Sequence, residues 1–267
     1  MGRFAAEVPP SGIREIVNLV LADPGRDVVR LEIGEPDART SAHIVAAARA
    51  AAGAGIGYTQ SFGIQPLREA IVARLDRSCG LSYPVDQIVA CQGAVQGVSA
   101  VFQALLDPGD EVLVPDPAWP NYAMSALMRG SRVVPYRLPA ASGFLPDVEE
   151  LRHLVTDRTR LIVVNSPSNP TGAVFPPSVV EAIVALAAER DVWVLSDEVY
   201  DELIFDGQPA NAAQYDQDRV IGVYSLSKTY SMTGWRVGYV ACAAELARTL
   251  STIQEPLLSC ISGVGQH

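Results

Sequence analysis

Apolar residues in this chain follow two rhythms that take turns along most of its length. The first is a short unbroken run, at 88–91, 112–114, 161–164, 192–195 and 220–224. A run of that kind suits a strand covered on both faces, the condition of strands in a parallel sheet. The second is a one-faced helical repeat. It predicts helices that turn Leu67, Ile71 and Leu75 inward, then Val98, Val101, Phe102 and Leu105, then a helix over 178–190. A helix over 243–259 would align Leu246, Leu250, Ile253 and Leu257, with Pro256 kinking or ending it. Nearer the N-terminus, Ile13, Ile16, Val17 and Val20 predict a helix over 11–22 behind Ser11 and before the stop DPG; an alanine-rich helix follows at 43–54. Further strands are expected at 28–34, 132–138 and 236–241, and a helix near 147–155. Strands alternating with helices give an α/β fold with a mainly parallel sheet and helices on both faces. No internal repeat or low-complexity tract interrupts it.

Composition narrows the setting. The chain is 49% hydrophobic with a formal net charge of −10, so its surface as a whole is a poor partner for nucleic acid or an anionic membrane, and any anion must be met locally. No apolar run approaches the span of a membrane helix, and MGRFAAEVPPSGIR lacks the apolar core of a signal peptide, so a cytoplasmic protein is expected. Cys79, Cys91, Cys242 and Cys260 show no paired spacing and His43, His153 and His267 are scattered. Neither a metal site nor a histidine-dependent triad has the material it needs. GAGIG at 53–57 lacks both the spacing and the preceding strand of a dinucleotide fingerprint.

The chemistry gathers at Lys228, the only lysine in the chain; every other basic side chain is arginine. A guanidinium does not give up its proton in proteins, whereas an amine in suitable surroundings does and can then attack a carbonyl. Ser225, Ser227, Thr229, Ser231 and Thr233 surround it with hydroxyls, and Arg236 returns to the same place if the chain turns at Gly234. A nearby cation lowers the amine's pKa, and hydroxyls with an arginine make a phosphate cup. The alternative is a lysine left by chance at an exposed helix start. Elsewhere the residues leave readings open: Asp197 closes an apolar strand, where it needs a partner or caps a short helix. Trp119 is a ring on a proline-stiffened loop or a core residue, and GEPD and NPTG are turns.

Taken together, SLSKTYSMTGWRVG, NPTG, SDEVY, LEIGEPD and YTQSFGIQPLR, in that chemistry and in the family's order along the chain, resemble the class I/II aminotransferases, fold-type I enzymes of pyridoxal 5′-phosphate (PLP). The resemblance implies a seven-stranded mixed sheet with its last strand antiparallel, residues 43–267 as the PLP-binding large domain, and residues 1–42 as an N-terminal arm with part of a small domain. It implies that Lys228 is the Schiff-base lysine and moves the substrate proton, that Asp197 faces the pyridine nitrogen, and that Tyr200 and Asn169 face the ring oxygen. Trp119 would stack on the ring. Gly93, Ala94, Val95, Ser225, Ser227 and Arg236 would hold the phosphate. Tyr58 would reach the phosphate of a neighbouring subunit in a homodimer with shared sites; the alternative is a loop aromatic packed on its own domain. Gly34, with Asn169 and Trp119, would meet the substrate. The implied reaction passes an amino group between an amino acid and a 2-oxo acid. A lyase or decarboxylase on the same scaffold, or a shortened chain that binds PLP without turnover, would share these residues, because the family's C-terminal segment with its carboxylate-gripping arginine is absent from the sequence.

Overall fold

The computed structural model describes residues 2–25, 27–207 and 210–267. Its centre is one seven-stranded sheet: β1 (Ile88–Cys91), β2 (Glu111–Asp116), β3 (Arg132–Arg137), β4 (Thr159–Asn165), β5 (Trp193–Asp197), β6 (Val220–Ser225) and β7 (Gly238–Ala241). The spatial order is β1-β7-β6-β5-β4-β2-β3. Strands β3, β2, β4, β5 and β6 run parallel to their neighbours, and β7 is antiparallel to both β6 and β1.

Four helices precede the first strand, α1 (Arg3–Glu7), α2 (Gly12–Ala22), α3 (Ala42–Ala54) and α4 (Gln65–Cys79); α5 (Ala94–Leu105), α6 (Asn121–Met128), α7 (Val148–Leu154) and α8 (Pro177–Glu189) alternate with β1 to β5, and α9 (Ala244–Leu258) follows β7. The unbroken apolar runs work as the pleat requires, alternate residues serving opposite faces. In β4, Leu161 and Val163 join the core under α5, α6 and α9, whereas Ile162 and Val164 join the one under α4, α7 and α8. Each face is sealed by helices, and this is why neither face of these strands could carry polar residues.

Three local expectations are corrected. Residues 28–34 form no strand: they pair with none of the seven, and Val29 and Leu31 are each 87% exposed. The apolar run had no ladder to join, and without one an extended segment is not a strand. The last strand begins at Gly238 rather than 236, because Arg236 takes a left-handed conformation (φ 58°) that breaks the pleat. Helix α9 does not stop at Pro256 but two residues later, at Leu258; the proline lacks the amide for an i to i−4 bond, and the helix ends within the same turn.

Candidate active site

Parallel strands deliver their carboxyl ends to one edge of the sheet, and ligands of open α/β sheets collect there. Asn165 at the end of β4 is in register with Asp197 at the end of β5, and Ser225 closes β6 beside them. Across β7 the same edge continues: Gly238 pairs with Ser225 on one side and with Cys91 on the other. Cys91 leads through Gly93 into α5, whose first amides, at Ala94 and Val95, have no carbonyl one turn back to bond and present the positive end of the helix dipole.

Two glycines make that edge approachable. Gly93 has φ +72°, and a Cβ there would lie 2.4 Å from Arg236 Nη2. At Gly238 a Cβ would lie 2.7 Å from the Tyr224 carbonyl oxygen and 2.8 Å from the Ala94 nitrogen. Arg236 reaches into this gap because of its left-handed backbone, and Nη1 donates to the Thr233 carbonyl at 2.8 Å. Ser225 Oγ accepts from the Ser227 amide at 3.1 Å, holding both hydroxyls at the same place. A small cradle of amides, hydroxyls and one guanidinium results, the donor set a phosphate monoester takes.

The cradle opens into a cleft of about 810 Å³. Of the residues singled out in the sequence, Gly34, Ala94, Val95, Trp119, Asn169, Asp197, Tyr200, Ser225, Ser227, Lys228 and Arg236 line it. Gly93 stands directly behind Arg236, and Tyr58 lies outside the cleft, 96% exposed. Tyr58 therefore does not pack on its own domain.

Asp197 is 4% exposed and has no cationic partner among the described residues. Burial raises its carboxyl to about 6, against the Tyr122 hydroxyl and the Val199 amide, which both favour the carboxylate. Tyr122 Oη donates to Oδ2 at 2.5 Å, and the Val199 amide donates to Oδ1 at 3.1 Å. This second bond is a local turn, so Asp197 caps no helix; residues after it are turns. Asn165 Nδ2 donates to the Asp197 carbonyl at 3.1 Å while its Oδ1 accepts from the Asn169 amide at 2.7 Å, which ties the NPTG loop to the acid.

Lys228 Nζ donates to the Gly34 carbonyl. Its pKa is lowered, first by burial and further by the Arg236 charge, with Glu35 pulling the other way. The segment around Gly34 is strapped to the lysine loop: Thr233 Oγ1 donates to Glu35 Oε1 at 2.9 Å, and Trp235 Nε1 donates to Thr40 Oγ1 at 3.1 Å. Tyr200 is raised above its ordinary pKa by burial and by the Asp197 charge, with Asn169 opposing.

Tyr122, Asn165 and Glu35 were not singled out for the site. Tyr122 carried a faint signal, three residues beyond Trp119 in a stiff loop; its ring meets Trp119 edge-on at 5.4 Å. Asn165 carried a better one, as a polar side chain ending an apolar strand that runs beside the Asp197 strand.

A fit test for PLP rests on these groups. The buried carboxylate lacks a cation, the cradle has an anion's donor set, and a lysine of lowered pKa shares their cleft. The three correspond to the ring nitrogen, the phosphate and the aldehyde of that molecule, so the residues present fit it.

The family model described as aminotransferase class I and II matches residues 26–267. The aspartate/prephenate aminotransferase of Thermus thermophilus is 39% identical over 88% of this chain and 61% of its own length. The arginine–pyruvate transaminase of Pseudomonas aeruginosa is 40% identical, again over 88% of this chain and 61% of its own. This chain thus spans less than two thirds of the length of either relative. Among solved structures, the aspartate aminotransferase from Thermus thermophilus with maleate superposes with a TM-score of 0.97 at 35% identity, over 100% of this chain and 70% of that one.

Proposed function

The chain belongs to the class I and II aminotransferases, and we propose that it serves a PLP-dependent transfer of an amino group between an amino acid and a 2-oxo acid. The observation that carries this reading is the convergence of Lys228, Asp197 and Arg236 on one cleft. When bound, PLP supplies an aldehyde that condenses with an amine and a ring that takes up an electron pair.

The chain's own residues do the rest. Gly93, Ala94, Val95, Ser225, Ser227 and Arg236 hold the phosphate. Asp197, kept ionised by a cation against it, holds the proton on the ring nitrogen. Tyr200 and Asn169 donate to the ring oxygen, and Trp119 covers the ring face. Lys228 Nζ, disfavoured as a cation by burial, takes the proton from the substrate Cα; such a positioned base is worth about 10² to 10⁴ in rate. Gly34, whose carbonyl accepts from Lys228, meets the substrate together with Asn169 and Trp119. The burial that lowers the amine's pKa favours its neutral, nucleophilic form.

In this reading residues 43–267 form the cofactor domain and 1–42 an arm with part of a small domain. Tyr58, exposed and outside its own cleft, is offered to the site of a second copy in a homodimer. The four free cysteines support a reducing, cytoplasmic setting.

Borohydride reduction of the protein loaded with PLP tests the assignment: the pyridoxyl group is expected on Lys228, and its recovery elsewhere or nowhere overturns it. Keto-acid product from a panel of amino donors, without ammonia or carbon dioxide release, separates transamination from the lyase and decarboxylase alternatives.

A further inference from the structure

On the face of the sheet opposite α5, a buried arginine joins two segments that lead to the cleft. Arg74 in α4 is 8% exposed. Its Nη2 donates to Asp201 Oδ2 at 2.6 Å and to Glu202 Oε1 at 3.2 Å, and its Nη1 donates to Tyr239 Oη at 2.9 Å. Burial works against the guanidinium charge, and Tyr239, Asp201 and Tyr230 together outweigh it. Among the described residues Arg74 is the only cation paired with Asp201 or Glu202.

Each contact leads to a residue of the site. Asp201 directly follows Tyr200 and lies four residues beyond Asp197. Tyr239 sits opposite Tyr224 in the β6–β7 ladder, the two rings stacked at 4.7 Å, and Tyr224 directly precedes Ser225. Asn211 Nδ2 donates to Tyr224 Oη at 2.9 Å and closes the far end of the chain of contacts. The acid loop and the lysine loop come from different strands, and Arg74 is the charged group held in common behind both.

We propose that Arg74 is a positioning residue for the reaction: it fixes Tyr200 and Asp197 relative to the strand that leads to Lys228 by clamping Asp201 and Glu202 on one side and Tyr239 on the other. This inference rests on the aminotransferase reading above, through the roles given there to Tyr200, Asp197 and Lys228. Misplacing reacting groups by an ångström costs up to about 10²-fold in rate, so a clamp on both loops is worth retaining even where a buried ion pair adds little net stability.

The test compares Arg74→Met and Arg74→Lys with Arg77→Met, an exposed arginine on the same helix, in the PLP-loaded protein. Arg74→Met is expected to lower kcat by about 10- to 100-fold with KM nearly unchanged. The pKa of the bound cofactor's visible band is expected to rise by about one pH unit, as Tyr200 loses its aim on the ring oxygen. Arg74→Lys, keeping a charge but not the fork, falls between, and Arg77→Met matches the parent. In the PLP-free protein, amide exchange in 197–203 and 224–230 is expected to quicken together in Arg74→Met. A folded Arg74→Met protein with lowered thermal stability alone, its band, kcat and exchange in those two segments unchanged, overturns the proposal. Should that variant fail to fold, Asp201→Asn and Tyr239→Phe each remove one arm; a band shift in the same direction supports the clamp, and none in either overturns it. If the parent protein takes up no PLP, the aminotransferase reading itself fails and this inference with it, a result distinct from an unresponsive variant.

Discussion

Tyr122 Oη donates to Asp197 Oδ2 at 2.5 Å, from the first turn of α6 to the end of β5. Both side chains are buried, and burial raises both pKa values, Tyr122 well above 10 and Asp197 to about 6. At neutral pH the phenol keeps its proton and the acid is the acceptor, so the bond orients the carboxylate and stabilises its charge. Tyr122→Phe removes a donor to the charged form and moves the Asp197 pKa further up. In the PLP-free protein the Asp197 titration is expected to shift toward neutral pH by about one unit, the size of one hydrogen bond to a charge at about 1.4 kcal/mol. The pH dependence of urea unfolding, which follows that titration, decides this; an unmoved profile rejects it.

Asp197→Asn is expected to stabilise the PLP-free protein while weakening its hold on PLP. The folded pKa of about 6 stands above the ordinary 3.8. The folded state therefore binds the proton more tightly than the unfolded chain, and stability falls as pH rises through the interval between those values. Above it, at 1.36 kcal/mol per pH unit, the penalty levels off at about 3 kcal/mol. Urea unfolding of the two proteins should give a difference of that order at pH 7.5 and almost none at pH 3.5. Equal stability at both values contradicts the burial argument.

Lys228→Arg keeps a cation able to donate to the Gly34 carbonyl but cannot lose its proton. Loss of at least the 10² to 10⁴ that a positioned base supplies is expected, roughly, in the transamination half-reaction, with no pyridoxyl label after borohydride. Mass spectrometry of the reduced protein reads the second outcome independently of activity.

Gly93→Ala places a methyl group where Arg236 Nη2 lies and imposes a positive φ on a residue that resists it. A stability loss of about 1–2 kcal/mol is expected from the backbone. Displacement of Arg236 should weaken PLP and inorganic phosphate in parallel, by about tenfold, the effect of one weakened charge-assisted contact. Fluorescence titration with each anion checks this. A selective effect on PLP, sparing phosphate, places the defect outside the cradle.

The strands and most helices were legible because each obeyed a local rule. Leu161 to Val164 had to be covered on both faces, and Ile71 and Leu75 had to share one. The segment 28–34 misled for the same reason: VVRLEIG satisfies the local rule for a strand, but pairing depends on a neighbour that local sequence does not contain. Lys228 was legible as the single lysine, and Gly93 as a glycine between strand and helix. Arg74 was not, and Tyr122 only faintly so, since their partners Asp201 and Asp197 lie on other elements and local sequence does not name them.

The order of residues along the chain by itself determined the alternation of strands and helices, the lone amine and the hydroxyls around it, because these depend on covalent neighbours and on periodicity. Only the tertiary structure decided which carboxylate loses its water, which hydroxyl then serves it, and which cation stands behind both loops. Burial and the pairing of charges are set by distance through space, and residues as remote as Arg74 and Tyr239 become neighbours only when the sheet has closed.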